Sequence, residues 1–564
     1  MFLFCNRCAL LVAGVFLLAH GQAQGGITIT AASVALVDDT TAVASASSGD
    51  TVIIPAGTAS WTSGLTITKG ITLQGSTTVS GDHTTFNSGT PMTANDQTII
   101  LDNIPKTGGL TPIFYFTHST GTARVTGVTV KAGSVTGNGD GGVFLPSGSV
   151  VPPANIRIDH CHLDQVHNTC LETIAGQVYG VMDHCLLDMD ASHEGFVFTM
   201  ANWGGHSYGD GAWAAPTDFG GPTFFFIEDC TVNNALGSGQ VVGCTDSYGG
   251  GKFVVRYSKF INCVVTDHGT ASVGNLRSVR AKEIYNNTFL FNRFAGSGGL
   301  QRGGCALIHD NTYTYVSPGW TTGITLQDYR TFDSSNVWGG ASGNSIWDLN
   351  SDTSNHTGNG IGGGANGLIA SGTVLSSVNG SSSAPNTPGT MTVSGTPWMA
   401  HQFQLPNPPN GNGYTLTKVG GRNTWIIDNT SNTITFFYLF SDSNEPLGNF
   451  TINAGNSYQI YKLPTAAIDQ CGRGQGDLLS GDSPAKINAV TGTASWPRNA
   501  LEPVYSWNNT LNGSNVNIGS STPTIIEGRD FYNQTPMPGY TPYTYPHPLV
   551  SGVWQANLRV VSGP

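Results

Sequence analysis

KEIYNNTFLFN occupies Lys282–Asn292, and VYSWNNTLNG, written to the same plan, returns at Val504–Gly513. Both place two Asn and a Thr ahead of an apolar residue. Aligned on Asn287, the same plan recurs as IDHCHL (Ile158–Leu163), MDHCLL (Met182–Leu187), IEDCTV (Ile227–Val232), VRYSKF (Val255–Phe260) and IHDNTY (Ile308–Tyr313). The first positions step by 24, 45, 28, 29 and 24 residues, so one unit carries an insertion of about twenty. Periods of this size mark a solenoid, in which each unit buries its apolar side only against its neighbours. The stretches within a unit alternate and are too short for helices. Residues at the aligned slot therefore stack. Asn287, Asn311 and Asn509 are expected to bond along the axis and close a tight turn, where Asn tolerates left-handed geometry. Cys161, Cys185, Cys230 and Ser258 fill the same small slot, which reads as a buried thiol stack, not as disulfides or a metal site.

Composition supports strands. Charged residues make up 10% of the chain and Gly supplies 75 of 564 positions, which is poor material for helices. Net charge is −12 with no basic run, so nucleic acid is excluded as a partner class. Met1–Ala23 reads as a signal peptide with Arg7 in its n-region, so the mature protein is expected to be secreted or periplasmic. No apolar run reaches membrane-spanning length.

The repeat resembles the right-handed parallel β-helix of the pectin-lyase-like superfamily, with three strands per coil and an Asn ladder at one turn. GDTVIIPAGTASWTSGLTITKGITLQG (Gly49–Gly75) looks like the opening coils of such proteins. The likeness covers roughly residues 30–335 and about 500–520. It implies an all-β fold and a carbohydrate-active protein, without choosing among lyases, hydrolases, esterases and adhesins.

The expected layout is a leader at 1–23, the β-helix over 24–335, a Gly/Ser/Asn-rich linker over 336–389 and a sandwich-like β module over 390–465. A return to the stack and a Pro- and Tyr-rich surface strap fill 466–564. VYSWNNTL is the rejoining coil, which puts Asn509 in the slot of Asn287.

If the aligned motif spans the second strand, its turn and the third strand, first strands fall near 169–175, 194–200, 240–245, 264–269 and 299–304. The resemblance implies a substrate groove along that first sheet. The polar residues landing there are Glu172, Glu194, Asp246, Asp267, His268, Gln301 and Arg302, and the following turns add Tyr248, Arg277 and Arg280. Arg beside His suits a uronate: a guanidinium pairs the carboxylate and a base removes the C5 proton. Arg277 or Arg280 would do the first, His268 the second, and Tyr248 would protonate the leaving oxygen, with Asp246 orienting a base or holding a cation; Asp267 is counted among the candidate catalytic residues. The plain alternative makes Arg280 and Glu283 a surface ion pair. The inserted stretch His193–Phe225 offers Trp203, His206, Tyr208 and Trp213 as sugar-stacking rings, or as a lid packed on itself. Asp188, Asp190 and Glu194 supply hard oxygens for Ca²⁺, though they lack an EF-hand pattern; the expected cofactor set is none, or Ca²⁺.

Three functions compete. The first is a polysaccharide lyase that cleaves an acidic, uronate-containing glycan by β-elimination and acts as a monomer. The second is a polygalacturonase-like glycoside hydrolase, since Cys244-Thr-Asp246, Asp267-His-Gly269 and Arg280-Ala-Lys282 lie in order; its Asn is replaced by Cys244 and its Asp pair is reduced to Asp267. The third is a glycan-binding or adhesion solenoid without catalysis.

Overall fold

The computed structural model describes residues 26–81, 91–106, 110–118, 120–135, 142–146, 155–164, 171–173, 178–189, 198–201, 216–234, 242–267, 278–292, 298–316, 323–327, 330–331, 368–380, 387–404, 414–421, 423–437, 439–440, 448–461, 466–468, 470, 502–520, 525 and 527–551. Three sheets of 12, 11 and 10 strands run through it, here called A, B and C, and each takes its strands in sequence order. Pairing between coils is parallel throughout sheets A and C. The chain is a parallel β-helix, each full coil giving one strand to each sheet.

Register confirms the repeat. Ile158 pairs with Met182, Met182 with Ile227, Ile227 with Val255, Val255 with Ile284 and Ile284 with Ile308. The column extends up through Val125 and Leu73 and down to Ser506. Its aliphatic members from Ile158 to Ile308 are at most 1% exposed. Each contributes about 1.5–3 kcal/mol of burial.

Between sheets A and B the turn is the same in seven coils. His160, His184, Asp229, Tyr257, Asn286, Asp310 and Asn508 all have φ between 49° and 55°. The left-handed residue is thus the one before the stacked slot, which corrects the expectation that the ladder Asn itself is left-handed. Gly127 (φ 67°) fills the position in an earlier coil. The stacked slot does the bonding. Backbone N–H groups of Cys230, Ser258, Asn287 and Asn311 donate to the side-chain oxygens of Ser258, Asn287, Asn311 and Asn509 in turn, at 3.0–3.2 Å. Cys161, Cys185 and Cys230 head the column as free, fully buried thiols. Each donates to the backbone carbonyl two residues earlier, at 3.2–3.3 Å. Burial pushes the Cys161 and Cys185 thiols up.

The outer face of sheet A is sealed. Its last column reads Asp159, Asp183, Glu228, Arg256, Tyr285, His309, Trp507. Arg124 and Arg157 neutralise Asp159 and Asp183, and Arg256 pairs with Glu228 at 2.6 Å with both side chains unexposed. The segment 540–549 crosses over them. Arg256 donates to the carbonyls of Tyr543 and Thr544, the His547 N–H donates to Glu228, and Arg157 donates to the Leu549 carbonyl. Buried charges hold the strap because its backbone satisfies them.

The helix Leu36–Ser45 closes the first coils, with Lys69 donating to the carbonyls of Val43, Ala44 and Ala46 at its C-terminal end. After Arg330–Thr331 the chain builds one seven-stranded antiparallel sheet between Leu368 and Tyr461. It starts earlier than composition predicts: Leu368–Thr373 and Ser376–Val378 belong to it, inside the stretch read as linker. Its Met391, Leu416, Ile426, Ile434, Phe436 and Ile460 share one buried cluster with Phe403. Val504–Trp507 then pairs with Cys305–His309, and Thr510–Leu511 with Thr312–Tyr313, so the late motif does rejoin the stack. Among the described residues no helix is long and apolar enough to cross a membrane.

Candidate functional site

Leu171–Thr173, Phe198–Ala201, Val242–Tyr248, Cys263–Val265 and Gly299–Gln301 are consecutive strands of sheet C, where first strands were expected. Leu171, Phe198, Thr245, Val265, Gly299 and Ile324 form one buried row. Glu172, Thr199 and Asp246 are register partners in these strands, and alternation puts Asp246 on the outward parity, with Tyr248 two residues further along. Asp246 is nearly covered and Tyr248 half-buried, and Tyr248 bridges Ser278. Two strands on, Arg302 is half-buried and donates from Nε to Gln327 Oε1 at 3.2 Å. His268, Arg277, Trp203, His206, Tyr208, Trp213, Asp190 and Glu194 lie outside the described residues, and so does the leader.

Three sequence candidates sit elsewhere than in a groove. Asp267 falls on the inward parity of its strand. Its Oδ2 accepts from Lys282 Nζ at 2.8 Å and its Oδ1 from the Arg302 N–H at 2.5 Å, with both ion-pair side chains unexposed. Lys282 occupies the interior row below Phe225 and Phe253 and above Ala306. Burial pushes the Asp267 carboxyl up, against the pull of Lys282. Gln301 also points inward, donating to the carbonyls of Gly303 and Gly304. Arg280 is buried and bidentate to Glu502 at 2.6 and 3.2 Å. It does not form the surface pair with Glu283. That carboxylate is itself buried, and it accepts from Tyr540 and from the Gly220 N–H. A one-residue error in parity moves a side chain from groove to core, which is why these residues misled.

The outer face of sheet B carries a second polar surface. The slot after the ladder residue reads His162, Leu186, Thr231, Lys259, and two residues on it reads Asp164, Asp188, Asn233, Ile261. An antiparallel hairpin, Thr78–Ser80 with Thr93–Asn95, lies over this face, Val79 and Met92 packing on Leu186. Between hairpin and sheet is a cavity of about 380 Å³. His162 is wedged at its edge, Nδ1 2.8 Å from Asp96 Oδ1 and Nε2 3.1 Å from Asp188 Oδ2. Burial pushes its imidazole down, but the two carboxylates outweigh that and hold its pKa above the usual value. Asn233 donates to the other Asp188 oxygen at 2.8 Å. Asp96, His162 and Asp164 bring ligand atoms within 4.8 Å of one another, as a cation site would. Lys131 Nζ lies 3.1 Å from Asp96 and 2.7 Å from Asp164, so an ammonium already bridges those two carboxylates. Sequence reading took only Asp188 from this surface. The columns one and three residues after the ladder would have revealed the rest.

No family model matches the chain, and no curated protein matches it. Among solved structures it is similar to an alginate lyase from Paenibacillus sp. str. FPU-7, with 11% identity, a TM-score of 0.26, and coverage of 53% of this chain and 97% of that one. It is also similar to ORF18 of Geobacillus virus E2, with 11% identity, a TM-score of 0.24, and coverage of 74% and 75%. Scores this low carry no weight for activity.

Proposed function

We propose that this chain is an exported, monomeric, carbohydrate-active β-helix protein that cleaves an acidic, uronate-containing glycan by β-elimination on the outer face of sheet C. The observation that carries the choice of chemistry is the parting of Asp246 and Asp267. A hydrolase of the polygalacturonase type needs two carboxyl groups facing one sugar, about 6.5–9.5 Å apart for inversion. Asp246 has outward parity, whereas Asp267 is turned inside and tied to Lys282. The outward set is instead an acid, a phenol and a guanidinium: Asp246, Tyr248 and Arg302. A lyase needs a cation on the uronate carboxylate, a base for the C5 proton and an acid for the leaving oxygen. Arg302 suits the first role and Tyr248 the third. His268 and Arg277 remain the sequence candidates for base and second cation. Aromatic residues 203–213 supply subsites in this reading, and any Ca²⁺ requirement would be met by carboxylates near Asp188.

The test is incubation with a panel of uronate polymers while recording the absorbance of unsaturated uronate and the release of reducing ends. Both rise for a lyase. Reducing ends alone mean hydrolysis, and neither means a binding protein. Arg302→Ala and His268→Ala should each lose at least about a hundredfold in turnover; full activity in both sinks the assigned face.

A further inference from the structure

We propose that Asp267 and Gln327 are positioning residues for the cleavage face: Asp267 holds the backbone of Arg302 from inside the coil, and Gln327 holds its guanidinium from outside. The inference deepens the lyase reading and rests on it for the role given to Arg302.

The interior pair poses the question. Lys282 and Asp267 bury opposite charges, 2.8 Å apart and with no side-chain exposure, in a coil whose other inward rows are mostly apolar. Such a pair adds little net stability, because both charges must first leave water, and apolar residues of similar volume often serve as well. An apolar pair cannot, however, accept a hydrogen bond. Lys282 donates to Oδ2 of Asp267, and the Arg302 N–H donates to Oδ1 at 2.5 Å. The ammonium fixes the carboxylate, and the carboxylate fixes the first residue after the strand Gly299–Gln301.

The turn that follows is tied elsewhere too. Gln301, fully buried, donates from Nε2 to the carbonyls of Gly303 and Gly304 at 3.0 and 3.3 Å. Gly304 has φ 70°, and a Cβ there would lie 1.9 Å from the Val279 carbonyl oxygen, so the backbone passes where only glycine fits. In the next coil the Gln327 N–H donates to the Gln301 carbonyl at 2.8 Å, and Gln327 Oε1 accepts from Arg302 Nε at 3.2 Å. A guanidinium has five N–H donors in one plane, so a bond at Nε orients the fork without exhausting it. Main chain and side chain of Arg302 are thus both set before a ligand arrives. A cation opposite a uronate carboxylate needs this, since charge grows on the carboxylate as the C5 proton leaves, and a donor already in place answers it without reorganisation. Asp267 touches no substrate in this scheme and acts only through Arg302.

The experiment compares two proteins that differ in one acceptor. Lys282→Met/Asp267→Asn keeps an oxygen at position 267, and Lys282→Met/Asp267→Leu keeps the approximate shape and removes it. Neither leaves a buried charge, and thermal melts check that both fold. Each is assayed on polygalacturonate, glucuronan, alginate and hyaluronan by the absorbance of unsaturated uronate. We expect the Asn protein to stay within about threefold of wild type and the Leu protein to lose at least about tenfold, mostly in kcat. Exchange of the Arg302 backbone amide, followed by NMR in protein labelled with ¹⁵N-arginine, should be at least about tenfold faster in the Leu protein than in the Asn protein. Gln327→Leu, at a half-buried position, should cost about tenfold in kcat at an unchanged melting temperature, and nothing further in an Arg302→Ala background. If the Leu protein does not fold, this second arm decides. Equal turnover of the Asn and Leu proteins, or a Gln327→Leu loss that persists after Arg302→Ala, overturns the positioning while the lyase reading stands. If wild type cleaves none of the polymers, the lyase reading falls instead; faster amide exchange in the Leu protein then upholds Asp267 as the anchor of Arg302, and equal exchange overturns that as well.

Discussion

The side-chain amide of Asn311 donates to Oδ1 of Asn509, 198 residues later in the chain, at 2.9 Å. The same oxygen takes the Asn311 backbone N–H at 3.1 Å, and Asn311 in turn serves Asn287 in both ways. The chain between Leu326 and Val504 is therefore an excursion from a stack that continues as if uninterrupted.

Asn311→Ala should be costly. It strands the Asn287 N–H and amide and the Ile284 carbonyl, all inside the turn. We expect a loss of about 2–4 kcal/mol, seen as a lower urea midpoint. Asn311→Ser should recover part of it, since Ser258 accepts from the coil above in the same slot. An unchanged midpoint for the Ala variant would show that the ladder follows from packing and does not stabilise it.

The Lys282–Asp267 pair lies inside the coil wall, so removing either partner leaves a charge with no water to solvate it. Lys282→Met or Asp267→Leu should each cost about 3–5 kcal/mol, and the double variant Lys282→Met/Asp267→Leu distinctly less than their sum. Thermal melts of the four proteins give the coupling. Strictly additive losses would mean the pair is not coupled. A catalytic role for Asp267 would instead show as lost turnover at wild-type stability.

The stack was legible because its signal is periodic: six apolar positions and a polar slot, each recurring once per coil, fix register before any distance is known. The rejoining coil at Val504–Gly513 was legible for the same reason. Side-chain direction was harder. Asp246 and Asp267 look equivalent in sequence, each beside a short apolar strand, yet Thr245 pairs with Val265, so Asp246 stands one residue past that inward pair and points out while Asp267 stands two past it and points in. Partners supplied from far away were invisible. Nothing near Arg280 announces Glu502, so a buried cation looked like a clamp.

The strap over sheet A should loosen in mild acid, with His547 as its sensor. Its Nδ1 accepts the Leu549 N–H at 3.2 Å and its ring packs on Phe226, an arrangement that requires a neutral imidazole. Burial, with Arg256 and Arg157 nearby, pushes its pKa down to about 3. The unfolded side chain titrates near 6.5, so between those values the unfolded state holds a proton that the folded state refuses. Stability from this group is complete above about pH 6.5 and falls as pH drops, by at most about 1.4 kcal/mol per unit. His547→Gln removes the term. Wild type minus variant should therefore shrink between pH 7 and 5, and amide exchange in residues 540–551 should quicken in wild type alone. A difference constant with pH refutes the sensor.

The cap at the other end titrates in the opposite sense. Asp39 in the helix Leu36–Ser45 is 0% exposed, and neither carboxylate oxygen has a hydrogen-bond partner. Burial, helped by repulsion from Asp38, raises its pKa from 3.8 to about 7. The folded state now holds the proton more tightly than the unfolded one. The contribution is thus fully present below about pH 3.8 and is lost as pH rises through about 7, after which folding must bury a bare carboxylate. Its place in the first turn of the helix offsets only about 0.3–1 kcal/mol of that. Asp39→Asn keeps the shape and abolishes the charge. We expect the variant to match wild type near pH 4 and to exceed it by about 2–4 kcal/mol at pH 8, the gap opening between those values. Thermal melts at pH 4, 5, 6, 7 and 8 measure it. A gap of the same size at every pH would mean that the carboxyl stays ionised, or reaches water, throughout the range.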